Sequence, residues 1–229
     1  MVTVDGVRLR RIVKWTVAVV GSAVLVAVAT AAATPVSPAS GTRIGTSHPT
    51  FTWTVPAGET SNAIYIANSP ERDTAGFFLD PHVVELAYLT GETRWTSRGL
   101  YAGRYWWMVG SNDNASHHFW SPVSDVQILP SIRAISVRAR AFHRLRLLDV
   151  YVQWRANVKW VAVRLRILEG RRLVWRRTQN EHSSLDEPGS TIFDWNAPRK
   201  VKRGTRLTLE VTAFASGIKR KGKLVVRAP

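Results

Sequence analysis

Arginines in the C-terminal half are the residues best suited to chemistry. Between Val161 and Ile167, Arg164 and Arg166 alternate with apolar residues, and this period of two places both arginines on the solvent side of a strand. The planar guanidinium group binds phosphate and carboxylate well. We therefore expect an anion-binding surface in this half. Its candidate residues are Arg138, Arg140, Arg164, Arg166, Arg176 and Arg177.

The charge distribution points to the same half of the chain. Residues 131–229 contain 23 Lys and Arg against 7 Asp and Glu, whereas residues 34–130 contain 5 against 8. This asymmetry predicts a domain boundary near residue 130 and an anionic partner for the second half only. The expected partner is an anionic cell-wall polymer or a lipid headgroup. The interleaved aromatics typical of single-strand binding are absent, so nucleic acid is not expected. The alternative is a solvated charged surface without a ligand.

Exposed aromatic residues form a second kind of candidate site. Trp106 has the opposite strand phase from Trp107, and Trp120 lies near the end of a strand. Exposed aromatic rings can stack on sugar rings, so Trp106 and Trp120 are candidate ligand-stacking residues of a carbohydrate-binding accessory protein. The alternative is that a neighbouring strand or the other domain covers Trp106.

Residue patterns typical of catalysis are missing from the chain. It has no cysteine, which excludes disulfides, thiolate metal sites and cysteine nucleophiles. Asp186 and Glu187 are adjacent, whereas a glycosidase pair faces each other across a bond. His117 and His118 would point to opposite faces of a strand and would not chelate together. The sequence predicts a protein that is not an enzyme, with no cofactor and no metal.

Short alternating strands dominate the rest of the chain. Phe51, Trp53 and Val55 share one face of a predicted strand, and Val150 to Trp154 repeats that pattern in the second half. About seven such strands at a spacing of roughly ten residues predict a second immunoglobulin-like sandwich. The expected fold is therefore all-β, with two tandem sandwiches over 50–130 and 131–229. The lysine-rich segment Lys219–Lys221 is expected in a flexible turn between Gly217 and Gly222.

Residues 36–129 begin with the Pro38–Gly41 opening, have Trp53 in the second predicted strand, and place Gly103, Tyr105, Trp106 and Trp107 at the corner of the sixth. On these residues, the segment resembles a fibronectin type III module of the bacterial kind. The resemblance implies that Tyr105 caps the corner between two sheets. It also implies a non-enzymatic module for adhesion, scaffolding or protein interaction at the bacterial cell surface. The second half is similar to bacterial Ig-like modules. No Arg-Gly-Asp tripeptide is present, so integrin-type recognition is not implied.

The N-terminal segment predicts export. Four cations within the predicted cytoplasmic tail, residues 1–14, precede an uncharged run over residues 15–33. This run is long enough for a single membrane span with the N-terminus inside. The small residues of Ala29–Ala33 also satisfy a signal-peptide cleavage rule, in which case the protein is secreted or bound to the cell wall. The following Pro/Ser/Thr-rich residues, 34–49, are expected to form a stalk.

Overall fold

The computed structural model describes residues 32–113, 118–185 and 187–229, which all belong to one compact unit. The predicted leader lies outside the described residues over positions 1–31. In the part of the chain described, no helix is long and apolar enough to cross a membrane. The regular structure there is strands plus one 3-10 turn at Asp80–His82, so the all-β fold class is confirmed.

The described residues of the N-terminal half form nine strands, which build the first module. They are β1 (Thr34–Ser37), β2 (Thr42–Ile44), β3 (Thr50–Thr54), β4 (Glu59–Ala67), β5 (Val83–Leu89), β6 (Arg94–Thr96), β7 (Gly103–Asp113), β8 (His118–Trp120) and β9 (Ser124–Ile128). One sheet has the order β1-β3-β6. The other has the order β2-β9-β7-β4-β5, with β8 paired to β7.

The two sheets of the first module enclose an apolar core. Phe51 and Trp53 of β3 alternate with exposed or half-buried threonines and are buried against Trp107 of β7, whose ring centroid lies 5.0 Å from that of Phe51. The Tyr105 hydroxyl donates to the carbonyl oxygen of Tyr101 at 3.0 Å, which ties the start of β7 to the loop before it. The expected corner role of Tyr105 is thereby confirmed.

The stalk predicted over residues 34–49 is wrong. Strand β1 pairs with β3, and β2 runs parallel to β9 in the larger sheet. Proline and small polar residues are tolerated in short edge strands, because an edge strand needs only half of its hydrogen-bonding groups. The composition of this segment therefore does not distinguish a stalk from the edge of a sandwich.

Seven strands build the second module. They are β10 (Ile132–Phe142), β11 (Leu147–Ala156), β12 (Trp160–Glu169), β13 (Arg172–His182), β14 (Gly189–Asn196), β15 (Arg206–Ala215) and β16 (Ile218–Arg227). One sheet has the order β10-β11-β14 and the other β13-β12-β15-β16. When β2 and β8 are left out, each module has seven strands that can be numbered in chain order. In both modules the first, second and fifth strands form one sheet, and the fourth, third, sixth and seventh strands form the other in that order. The two modules therefore share one topology.

The core of the second module follows from strict alternation. Strand β12 buries Val161, Val163, Leu165 and Ile167 while its intervening residues face outward or are half-buried. These side chains pack with Trp154 of β11 and with apolar residues of β14 and β15. Burying a valine, leucine or isoleucine stabilises a fold by about 1.5–3 kcal/mol per side chain relative to leaving it exposed. The inward residues thus fix the outward direction of the residues between them.

Asn157 joins the two modules. Its Oδ1 accepts from the Ser131 amide at 2.7 Å, and its Nδ2 donates to the Leu129 carbonyl at 2.9 Å. Its own carbonyl oxygen accepts from the Ala102 amide at 2.6 Å. The side chain is 2% exposed, so these bonds replace water that cannot reach it. The residues around the predicted boundary at 130 are consequently held by hydrogen bonds.

Candidate functional site

The outer surface of the four-stranded sheet in the second module carries many cations. In β12, Leu165 is buried while Arg164 and Arg166 on either side of it are exposed, because successive residues of a strand point to opposite faces. The same alternation brings Arg206 of β15, and the cations of β16 other than Arg220, to this surface.

Cross-strand pairing extends the cations into rows. Arg166 lies opposite Arg176 of β13 and Glu210 of β15, and Glu210 lies opposite Lys223 of β16. The next row places Arg164 two residues away on the same face, in line with Lys221. We call the cations that share this outward register the basic face. They are Arg164, Arg166, Arg176, Arg206, Lys219, Lys221, Lys223 and Arg227.

Glu210 offsets only part of this positive charge. Its Oε2 lies 3.2 Å from Nη1 of Arg166, and the two side chains are 40% and 44% exposed. Water screens an ion pair of this kind, which typically contributes about 0–1 kcal/mol. Among the described residues in this outward register, one carboxylate, that of Glu210, stands against eight cations, which leaves a formal excess of seven positive charges.

Arg164 is held close to the sheet. Its guanidinium carbon lies 5.2 Å from the ring centroid of Phe214, and its Nε donates to Thr178 Oγ1 at 3.4 Å. A cation above an aromatic ring is attracted by the electron density of the ring face. These contacts reduce the freedom of Arg164 and orient it before any ligand arrives.

The spacing of the basic face suits an extended anionic polymer. Neighbouring strands lie about 4.8 Å apart, and residues that share a face along one strand lie about 6.8 Å apart. Phosphate or carboxylate groups repeated along a chain could therefore meet several cations at once, each through charge-assisted hydrogen bonds. A sheet surface without an enclosing wall favours a long ligand over a small one.

Two of the predicted arginines lie elsewhere. Arg138 and Arg140 are on the outer face of the three-stranded sheet, on the opposite side of the sandwich from Arg164. Arg140 is opposite Asp149, which is in turn opposite Asp194. Burial of the Asp149 carboxyl and the neighbouring charge of Asp194 raise the pKa of Asp149. Asp149 and Asp194 offset two of the three arginines on this outer face, Arg138, Arg140 and Arg155, so its excess of cations is far smaller than that of the basic face.

Arg177 also lies outside the basic face. It lies opposite Leu165, whose side chain is buried, and so it has the other strand phase from its neighbour Arg176. The structure thus brings together Arg164, Arg166 and Arg176 of the six predicted arginines.

The predicted turn over Lys219–Lys221 is wrong. The hairpin turn is at Ser216–Gly217, and Lys219 and Lys221 lie within β16, opposite Phe214 and Thr212. Arg220 points away from the basic face and donates to the Ile132 carbonyl at 2.9 Å. In the sequence, Arg220 and Gly222 stand between the three lysines, so this segment has no alternation of apolar and polar residues that could have identified the strand.

Trp106 and Trp120 lie on the outer face of the larger sheet of the first module. Both pack against a second apolar cluster that includes Tyr65, Phe78 and Met108. Trp120 lines a pocket of about 360 Å³, whereas Trp106 is half-buried with the Arg104 guanidinium 5.3 Å above its ring. The pocket walls also include Tyr65, Phe77 and Tyr88, which were not candidates in the sequence analysis.

The described residues contain no cluster of metal-binding side chains. Across residues 32–113, 118–185 and 187–229, no three His, Cys, Asp or Glu side chains are placed to hold one metal ion. His117 and Asp186, each one half of a pair discussed above, lie outside those ranges.

Comparisons with known proteins give loose similarities only. No family model and no curated protein matches the chain. Solved fibronectin(III)-like modules of Clostridium thermocellum CbhA are 14% identical, with a TM-score of 0.32 over 86% of this chain and 93% of that chain. A tetra-tandem repeat from the extending region of a large adhesion protein is 15% identical, with a TM-score of 0.40 over 86% of this chain and 49% of that chain. The FN1-FN3 domains of chicken CNTN1 are 14% identical, with a TM-score of 0.27 over 85% of this chain and 64% of that chain. None of these similarities identifies the function of this chain.

Proposed function

We propose that this protein is a non-enzymatic, two-module binding protein whose second module binds an anionic polymer. The observation that carries the proposal is the basic face, where eight named cations share one outward register of a four-stranded sheet. A rigid sheet holds the charges in place before binding, so little conformational entropy is lost when a polymer docks.

The ligand we propose is a phosphate-bearing polymer of the bacterial cell wall. Arginine forks and lysine ammonium groups both bind phosphate oxygens, and the basic face contains both types. Lipid headgroups offer the same phosphate chemistry on a flat surface, and carboxylated glycans offer a weaker match.

The cellular setting is part of the proposal. We infer that residues 15–33 export the chain, either as a membrane anchor with the N-terminus inside or as a cleaved signal. We also propose that the modules at 50–130 and 131–229 are separate domains of the fibronectin type III and immunoglobulin-like kind. The shared strand topology and the Tyr105 corner support that proposal. Such a protein would serve adhesion or scaffolding, or bind a protein partner.

Charge reversal on the two sides of the second module tests the polymer proposal. The full chain, in a neutral detergent, is applied to resins carrying teichoic acid or heparin and eluted with salt. Arg164→Glu with Arg166→Glu should elute at clearly lower salt than the unmodified protein, because both side chains belong to the basic face. Arg138→Glu with Arg140→Glu is the matched control, since it makes the same charge change on the opposite sheet of the same module.

Equal losses in the two double variants would contradict the proposal, because net charge alone would then explain retention. Vesicles containing anionic lipid give the comparison arm. Tighter retention on such vesicles than on teichoic acid would replace the wall polymer by lipid headgroups as the ligand.

A further inference from the structure

The pocket of the first module lies on the outer face of the larger sheet. It lies over β4, β5, β7 and β8 and has a volume of about 360 Å³. This size is at the lower end of the range of small-molecule sites, which is roughly 300–1,000 Å³. The pocket is separate from the basic face, which lies in the second module.

Glycine makes room for the floor of the pocket. A Cβ atom added to Gly110 of β7 would lie 2.3 Å from Cζ3 of Trp120, so only glycine allows the indole to lie across the strand. Gly76 contacts the same indole from the loop before β5, with its virtual Cβ 3.3 Å from Cδ1. Because Gly110 and Gly76 have no side chains, Trp120 can lie flat on the sheet.

Three aromatic rings line the pocket in mutual contact. The ring centroids of Phe77 and Trp120 are 4.4 Å apart, those of Tyr65 and Trp120 are 5.5 Å apart, and those of Tyr65 and Phe77 are 6.0 Å apart. The edge-on geometry of these pairs is the favoured one, so the rings hold one another in fixed orientations. A fourth ring, Tyr88 of β5, is 77% exposed at the rim.

Short polar side chains border these rings. Ser61, Thr90, Asn112 and His118 supply hydroxyl, amide and imidazole groups to the lining. Lys, Arg, Asp and Glu do not occur among the lining residues that the structure describes. The lining therefore offers hydrogen-bonding groups to a ligand and no carboxylate, ammonium or guanidinium group to pair with a charged one.

We propose that this pocket binds a ring of a neutral saccharide. The apolar C–H faces of a pyranose would stack on the rings of Trp120, Phe77 and Tyr88, and its hydroxyl groups would exchange hydrogen bonds with Asn112, Ser61 and Thr90. A neutral saccharide combines an apolar face with a hydroxyl edge, and the pocket offers an aromatic surface bordered by short polar side chains. The open rim at Tyr88 lets a longer glycan continue along β5.

Native affinity electrophoresis tests this inference on the full chain. The protein, in a polyoxyethylene detergent that carries no sugar, is run towards the cathode in gels containing glucomannan, hydroxyethyl cellulose, xylan or soluble β-glucan. Mobility is compared with that in a gel without polysaccharide, so differences in charge between variants cancel. We expect retardation by at least one of the four polysaccharides, and we expect added salt to leave it unchanged.

Variants connect the retardation to the pocket. Tyr88→Ala should weaken binding about tenfold, which corresponds to the loss of one stacking ring. Tyr88 is 77% exposed and shares a side-chain hydrogen bond with Tyr65, so its removal should lower stability by no more than the loss of one hydrogen bond, and the melting temperature of the variant is measured alongside binding. Tyr151→Ala removes a tyrosine that is 38% exposed on the second module, and it should bind as the unmodified protein does. Trp120→Ala should abolish retardation and is checked separately for folding, with Phe77→Ala as the milder second variant.

Three results would overturn the inference. They are no retardation by any of the four polysaccharides, retardation that persists in both Tyr88→Ala and Phe77→Ala, and an equal loss in Tyr151→Ala. The charge-reversal pair Arg164→Glu and Arg166→Glu should keep full saccharide binding, so failure of the polymer proposal and failure of this inference are separate results.

Discussion

Single buried aromatic residues hold the first module together. Trp53 of β3 is 3% exposed and packs in the core with Phe51 and Trp107, whereas Trp160 of β12 is 62% exposed. The two tryptophans differ in burial but not in chemistry. They therefore offer a direct measure of what burial contributes at the scale of one residue.

We predict that Trp53→Ala lowers the free energy of unfolding by about 3–5 kcal/mol, the usual cost of removing a large aromatic residue from a core. Trp160→Ala is the control and should change it by less than about 0.5 kcal/mol, as surface substitutions usually do. Chemical denaturation followed by circular dichroism measures both. Similar losses of unfolding free energy in the two variants would show that the burial of Trp53 on the inward face of β3 does not stabilise the module.

At the scale of elements, the position of β16 decides whether its lysines act together. The hairpin from β15 to β16 turns at Ser216 and Gly217, which have φ angles of 47° and 80°. Two successive positive φ values are typical of the type I′ turn, whose twist matches that of the flanking strands. This two-residue turn sets the register that puts Lys219, Lys221 and Lys223 on one face.

We predict that Gly217→Ala destabilises the second module by about 1–2 kcal/mol, because a Cβ atom is strained at positive φ. Gly45→Ala is the matched control, since Gly45 has no positive φ and its added Cβ would meet no atom within 4 Å. Thermal unfolding measures both variants. A smaller loss in Gly217→Ala than in Gly45→Ala would contradict the assigned turn.

Periodicity predicted the strands that have one buried face. Trp53 and Trp154 alternate with polar residues and are buried, as that alternation indicated. Tyr105 and Trp107 are buried as well, but their neighbours Trp106 and Met108 are apolar, so β7 shows no such alternation. Strand β5 was missed because Val84, Leu86 and Tyr88 are apolar yet exposed, so its two faces do not differ in polarity. Short edge strands such as β1 and β2 contain too few residues to show a period.

The candidate sites were only partly predictable because they depend on which strands become neighbours. A strand pattern shows that Arg164 and Arg138 both face outward, but it does not show that they lie on opposite sheets. Likewise, the proximity of Trp120 to Phe77 depends on a loop folding back over the sheet. Such contacts are set by tertiary pairing and not by local sequence.

At the scale of the whole molecule, charge and aromatic surfaces are divided between the two modules. The near-neutral first module carries the aromatic pocket, and the second module carries the basic face. Asn157 and the hydrogen bond from the Tyr101 hydroxyl to the Ser183 carbonyl, at 3.1 Å, join them. The two proposed binding surfaces therefore lie on different modules.

The salt dependence of affinity for a phosphate polymer tests the central claim most directly. Titration of the full chain with teichoic acid at a series of salt concentrations gives the slope of log K against log salt, which reports the number of ionic contacts. We predict a steep negative slope that becomes distinctly shallower in Arg164→Gln with Arg166→Gln and is unchanged in Arg138→Gln with Arg140→Gln. A slope near zero, or one that both pairs of substitutions change equally, would contradict the assignment of the basic face as the binding surface.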